Sequence, residues 1–200
     1  QCCLVGSEMC IRDRDRSDIF IFMGDNVYGD DRITGKLDKL SKAYAKQKTK
    51  IPFAELKETN EIHAIWDDHD YGKNDGGAEY KYKQGAKNLF LDFWNISLED
   101  PRRNRDGIYY ETKKNTKKGL LQIIFLDTRY FRSPLKRTDE RGAPGKERYL
   151  PDNGPEKTFL GKEQWNWLSN KLDDDADIRI IVSSIQTVSY THLRAHETTL

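Results

Sequence analysis

Residues 18–29 read Asp18-Ile-Phe-Ile-Phe-Met23-Gly-Asp25-Asn-Val-Tyr28-Gly29. The apolar run that ends at Met23 predicts a buried parallel strand with polar residues at its carboxyl end. Ligands of α/β sheets gather where strands end, so Asp25 is a candidate ligand. A carboxylate can bridge two cations, and a phenolate from Tyr28 would favour a hard trivalent ion. Taken alone, the stretch is equally compatible with an Asp25 that caps a turn and a Tyr28 that packs.

A second acidic stretch, Trp66-Asp-Asp-His-Asp70, follows another apolar run that predicts a buried strand over residues 61–66. Three carboxylates and a histidine in four residues repel one another unless cations or hydrogen-bond donors neutralise them. Hard cations take oxygen ligands, and a histidine beside them can ligate or donate a proton. The alternative is a solvated acidic turn, which the apolar Ile62 and Ile65 disfavour. His63 alternates with these apolar residues and is interpreted as a structural histidine.

The rest of the chain alternates helical and strand patterns. Helical spacing predicts helices over residues 31–47, 78–94 and 160–172, and Ile51-Pro52 is expected to break the first. Residues 107–112 and 120–126 flank a basic turn and predict antiparallel strands, and residues 177–184 predict a last strand. Residues 131–158 predict a long loop, which is often functional in a compact domain. The pattern indicates an α/β fold with a mixed sheet.

The bulk composition excludes several classes of protein. Hydrophobic residues make up 36% of the chain and charged residues 34%, and no apolar run approaches a membrane span. The formal net charge is only +1, which gives no electrostatic argument for binding nucleic acid or anionic lipid. We therefore expect no nucleic-acid partner and no membrane span, and the oligomeric state is left open.

The two ends predict a non-native origin. Residues 188–198 and 3–13 can be encoded by reverse complements of each other, and chance does not explain eleven consecutive antisense matches. The pattern is that of a sequencing adapter translated on both sides of an insert. We expect residues 1–14 and 187–200 to be adapter-derived and residues 15–186 to be an interior piece of a longer domain. All three cysteines lie in or beside the first adapter segment, so no cysteine nucleophile is predicted.

Five segments in this order resemble one known family. They are the strand-Gly-Asp-Asn-Val-Tyr segment, Trp66-Asp-Asp-His-Asp70, Phe125-Leu-Asp-Thr-Arg-Tyr-Phe-Arg132, Leu160-Gly-Lys-Glu-Gln-Trp165 and Ile181-Val-Ser-Ser-Ile-Gln186. Together they resemble the alkaline phosphatase D (PhoD-like) branch of the metallophosphoesterase, or calcineurin-like, superfamily. The resemblance spans residues 15–186. It implies a partial αββα sandwich with mixed sheets and a bimetal site at one edge of the sheets.

The resemblance also implies a ligand set and cofactors. Asp25 would bridge two metal ions and Tyr28 would bind ferric iron. Asp68 stands where the wider superfamily has an asparagine ligand, and Asp67 is a further ligand or a partner of one. Two or more metal ions are implied, with Ca²⁺ and Fe³⁺ the expected identities.

Catalytic roles are implied for three more residues. His69 stands at the position of the histidine that assists the leaving group. Asn26 would orient the substrate or a bound water. Arg129 is a candidate phosphate clamp, because a guanidinium fork matches phosphate oxygens, and an ion pair with Asp127 is the open alternative.

The implied activity is hydrolysis of phosphate monoesters or diesters. The family's first metal motif and its later glycine-aspartate-x-histidine segment are missing from this sequence, so we expect the parent protein to be active and the present chain to be inactive. A periplasmic or secreted location is expected from the resemblance alone. The competing interpretation is a non-catalytic calcium-binding or interaction module in which the acidic turns hold a structural cation, although these turns lack the ligand spacing of an EF-hand.

Overall fold

The structure is a computed structural model that describes residues 17–31, 34, 36–140, 143–144 and 148–186. The ends predicted to be adapter-derived lie outside these residues. Among the described residues, no helix combines the length and apolar character that a membrane crossing requires.

The first half of the chain forms a two-stranded parallel sheet. Strand β1 (Ile19–Met23) pairs with β2 (Glu61–Ile65) in the register Ile19 to Glu61 and Met23 to Ile65. The prediction that β1 is a parallel strand is confirmed, and its parallel pairing with β2 brings the residues after both strands to one edge of the sheet. The prediction that β1 is buried was only partly right, because the strand is half-buried and Met23 is 57% exposed.

Helix bounds differ from the prediction at three places. Helix α1 (Asp38–Lys48) begins seven residues later than expected, because the Asp31 side chain accepts a bond from the Thr34 N–H and holds a turn instead. Helix α2 (Ile51–Thr59) was missed. The proline that was expected only to break α1 lies in the first turn of α2, where a missing N–H costs nothing. Turns occupy residues 78–82, so helix α4 (Lys83–Phe93) also begins later than expected.

The second half forms a three-stranded mixed sheet. Strands β3 (Tyr110–Thr116) and β4 (Gly119–Phe125) are antiparallel, as predicted, and β5 (Ile178–Val182) lies parallel to β4. The helices of this half are α5 (Pro101–Asn104) and α6 (Gly161–Leu172), and the short α3 (Asp68–Tyr71) follows β2. The described part of the predicted loop 131–158 contains no helix or strand, only an isolated bridge between Arg137 and Tyr149.

The two sheets pack face to face. The ring of His63 on β2 stacks on Phe125 of β4, with centroids 5.0 Å apart. On the other face of β4, Ile124 packs with Leu168 of the helix α6, together with Leu126, which directly follows the strand. Phe22 of β1 contacts Phe53 of α2, which places helices outside the first sheet as well. The predicted α/β class and the helix–sheet–sheet–helix arrangement are confirmed.

Candidate metal centre

The candidate centre lies where β1 and β2 end. Gly24 and Asp25 both have positive φ, at 110° and 51°, and turn the chain sharply after β1. Only glycine fits the first position, because a Cβ on Gly24 would lie 2.7 Å from the Asp67 Cβ. This close approach brings the loop after β1 against the loop after β2.

Three of the predicted residues converge at this edge. Asp25, Asp68 and His69 each offer one ligand atom, and the three atoms lie within 4.8 Å of one another. The His69 N–H donates to Asp25 Oδ1 at 3.3 Å. Burial raises the pKa of Asp25, and the charges of Asp68 and Asp67 add to the rise against the His69 hydrogen bond. Two carboxylates and an imidazole in this arrangement fit a hard or borderline cation, whose charge would relieve their repulsion.

Asp68 is held by a loop that follows α3. Its Oδ2 accepts bonds from the Asp75 N–H at 2.7 Å and from the Asn74 side chain at 3.1 Å. Both bonds use one oxygen. Asp68 is only 8% exposed, and the two donors fix the orientation of its carboxylate toward the cluster.

His69 is oriented by Asp30, a residue to which the sequence had assigned no role. The His69 Nδ1 lies 2.6 Å from Asp30 Oδ1, and both side chains are largely buried. A carboxylate on Nδ1 fixes the tautomer and leaves Nε2 as the nitrogen available for chemistry. The exposed ring of Tyr28 packs on His69 with centroids 4.3 Å apart, so Tyr28 borders the cluster, and its role as a metal ligand stays a prediction.

Asn26 lies between the two loops, and the nitrogen of its side-chain amide is hydrogen-bonded to two acceptors. Its Nδ2 donates to the Ile65 carbonyl at 2.9 Å and to Asp70 Oδ2. Its Oδ1 is buried and has no partner among the described residues. The expectation that Asn26 orients a substrate or water therefore narrows to its oxygen, which can accept a bond but cannot donate one.

Asp67 lies beside the cluster but takes other partners. Its Oδ1 accepts bonds from Arg129 Nε at 2.7 Å and from Ser184 Oγ at 2.8 Å, and Arg129 Nη2 lies 2.6 Å away. The structure thus places Asp67 as the partner of an arginine rather than in the convergent group. Ser184 was missed, because no sequence pattern links it to a residue 117 positions away.

Arg129 forms an ion pair with Asp67 and not with Asp127, the partner expected as the alternative. Asp127 accepts the backbone N–H groups of Arg129 and Tyr130, each at 2.9 Å, and the indole N–H of Trp66 at 2.8 Å. The guanidinium turns instead to Asp67. Its Nη1 is buried without a partner among the described residues, so the phosphate-clamp role stays a prediction that requires this nitrogen.

His63 lies away from the centre, on the strand β2. Its Nδ1 is 3.1 Å from the Tyr110 hydroxyl and its Nε2 is 2.9 Å from Glu61. One ring nitrogen contacts β3 of the second sheet and the other contacts Glu61 on β2 itself, which agrees with the structural interpretation of this histidine.

Comparisons with known proteins identify a family for this chain. A family model described as PhoD-like phosphatase matches residues 8–199. Among solved structures, the chain is similar to one described as "Structure of PhoD", with a TM-score of 0.64 and 17% identity, a likeness that shows the fold. The similarity covers 85% of this chain and 37% of that one, so the chain spans little more than a third of that structure. No curated protein matches the sequence. Because the family match extends over almost all of its length, the chain belongs to the PhoD-like phosphatase family.

Proposed function

We propose that the protein hydrolyses phosphate esters at a metal centre to which this chain contributes Asp25, Asp68 and His69. The observation that carries the proposal is the convergence of these three side chains at the carboxyl ends of two parallel strands, in a member of a phosphatase family. Carboxylates at such an edge bind cations, and cations are what phosphoryl oxygens need.

Each residue has a distinct proposed task. Asp25 and Asp68 would hold the metal ions, with Tyr28 as a further ligand and Ca²⁺ and Fe³⁺ as the proposed identities. The bound ions would supply Lewis acidity toward the phosphoryl group and neutralise its charge. Water adds to phosphorus as the ester P–O bond breaks. In its doubly protonated form, with the Nδ1–H donated to Asp30, the His69 side chain would give its Nε2 proton to the departing oxygen and would recover a proton from the attacking water.

Two further residues would act on the substrate. Arg129 is buried beside the centre with Nη1 unpartnered among the described residues, which supports a contact with a phosphate oxygen. The Asn26 oxygen would accept a hydrogen bond from water in the centre. Asp67 would act through Arg129, by holding its other two nitrogens.

The competing function is a non-catalytic calcium module. Hydrolysis of p-nitrophenyl phosphate and bis(p-nitrophenyl) phosphate by the product of the complete reading frame separates the two. With an enzyme, His69→Ala should lower kcat by about 10²–10⁴ while the protein stays folded, and Asp25→Asn should abolish metal-dependent turnover. A calcium module should lose thermal stability in Asp25→Asn, and no turnover should be measurable in any variant.

The same assay applied to the present chain tests a second expectation. We propose that the chain alone does not turn over, because metal motifs of the family are missing from its sequence. Turnover of either ester by the refolded chain with added Ca²⁺ and Fe³⁺ would contradict that expectation and leave the assignment of Asp25 and His69 intact.

A further inference from the structure

Asp70 is a fully buried carboxylate to which neither the sequence pattern nor the proposed chemistry assigns a role. It is the last residue of the acidic stretch after β2, and it does not belong to the group of convergent ligand atoms. Its two oxygens face two different segments of the chain.

The first oxygen serves the loop after β2. Asp70 Oδ1 accepts the backbone N–H of Asp67 at 2.6 Å, and the Asp67 side chain completes a reciprocal capping box around the short helix α3. Capping of this kind is common at helix N-termini. By itself it would explain a carboxylate that contacts only its own loop.

The second oxygen reaches the loop after β1. Asp70 Oδ2 accepts the backbone N–H of Asn26 at 3.2 Å and also the Asn26 side-chain amide. These bonds span 44 residues of sequence and have no part in capping α3. One carboxylate therefore connects the two loops that carry the candidate metal ligands.

The residues that Asp70 holds are the immediate neighbours of those ligands. Asn26 follows Asp25 directly, and Asp67 precedes Asp68 directly. The Asn26 N–H belongs to the same planar peptide unit as the Asp25 carbonyl, and the Asp67 N–H lies at the N-cap of the helix α3, which Asp68 begins. We infer that Asp70 is a positioning residue that sets the separation of the Asp25 and Asp68 carboxylates for binding a cation. This inference rests on the proposed function, because it assumes that the two carboxylates share a metal centre.

The same contacts fix which way the side-chain amide of Asn26 is oriented. Its side-chain nitrogen faces a carboxylate oxygen and the Ile65 carbonyl, and both of these are acceptors. A flipped amide would place its oxygen against the Ile65 carbonyl oxygen. Asp70 thus helps to keep the amide oxygen, rather than the nitrogen, free for the centre.

Calorimetric titration of the full chain with Ca²⁺ tests the inference. Asp70→Asn retains the shape of the side chain but places an NH₂ group against the N–H donors of one of the two loops. We therefore expect the affinity for Ca²⁺ to fall about 10–100-fold, while the protein stays folded. The control is Asp100→Asn, in which another carboxylate that binds a backbone N–H and an arginine loses its charge outside the group of convergent ligands. Its Ca²⁺ affinity should stay at the wild-type value.

Amide hydrogen exchange keeps the test decisive if Asp70→Asn fails to fold. In the wild-type chain the N–H groups of Asn26 and Asp67 should exchange slowly, and unprotected amides would overturn the inference. Asn26→Ala provides a milder variant that removes only the side-chain bond, and its Ca²⁺ affinity should fall by less than that of Asp70→Asn.

The outcomes separate this inference from the proposed function. Equal Ca²⁺ affinity in the wild type, Asp70→Asn and Asn26→Ala would overturn the role of Asp70 and leave the metal centre standing. A wild-type chain that binds no Ca²⁺, Mn²⁺ or Fe³⁺ would overturn the metal centre, and with it the positioning role.

Discussion

Asp67 and Asp68 are neighbours in the sequence, yet their side chains serve different partners. Asp68 faces Asp25 and His69, whereas Asp67 pairs with Arg129. The difference arises because the backbone of Asp67 is extended and Asp68 begins the helix α3, so their side chains leave the chain in different directions. Of two adjacent carboxylates, one is therefore available to a cation and the other neutralises a buried guanidinium.

The Asp67–Arg129 ion pair is expected to contribute to the stability of the fold. Removing either partner leaves the other charge largely buried, so Asp67→Ala and Arg129→Ala should each lower the free energy of unfolding by about 3 kcal/mol. The double variant should cost less than the sum, with a coupling of at least about 1 kcal/mol in urea unfolding. Strictly additive losses would show that the two side chains do not interact.

The turn after β1 determines how closely the two ligand loops approach. Gly24→Ala should cost about 1–2 kcal/mol for its positive φ alone, and its Cβ should push the Asp67 loop away and weaken Ca²⁺ binding. Gly154→Ala is the matched control, since its Cβ would meet only the carboxylate end of Glu156. Calorimetry and thermal unfolding of both variants provide the measurement. Wild-type Ca²⁺ affinity in Gly24→Ala would contradict the account of this turn.

The short helix α5 has a charged N-cap whose contribution to stability depends on pH. Asp100 accepts the Arg102 N–H and two guanidinium bonds, and these bonds hold the pKa of Asp100 below its ordinary value of 3.8. A lowered carboxyl pKa stabilises the fold above the unfolded-state value, and this contribution is lost as pH falls through the folded-state value. Asp100→Asn should therefore lower the free energy of unfolding by about 1 kcal/mol at neutral pH.

The deficit of Asp100→Asn should shrink as the pH falls below 3.8, because protonation then removes the same charge from the wild type. Urea unfolding of both proteins across this range makes the comparison. A deficit that persists unchanged near about pH 2 would show that the charge of Asp100 is not its source.

Across the whole molecule, the sequence predicted the parts of the site that depend on strand ends. Two apolar runs followed by acidic residues indicated strands with polar side chains at their carboxyl ends, and the structure brings Asp25, Asp68 and His69 together at that edge. The roles of these residues as ligands and catalyst stay predictions. The sequence did not predict contacts that are made through tertiary packing. The bonds of Asp70 to Asn26 and of Ser184 to Asp67 depend on how loops distant in sequence pack together, and no local pattern encodes that.

The other differences between the predicted and the observed elements have local causes. The late start of α1 follows from a side-chain turn at Asp31, and the missed α2 follows from reading Pro52 only as a helix breaker. The burial of β1 was overestimated because a run of apolar residues is compatible with both a half-buried and a fully buried strand. Only the packing of the strand decides between the two.

Calorimetric titration of three single variants with Ca²⁺ distinguishes the residues that hold the metal from the residue that holds Arg129. If Asp25, Asp68 and His69 form the metal centre while Asp67 serves Arg129, Asp25→Asn and Asp68→Asn should each abolish saturable binding, and Asp67→Asn should keep it within about tenfold of wild type. Loss of binding in Asp67→Asn together with wild-type binding in Asp68→Asn would contradict the assignment.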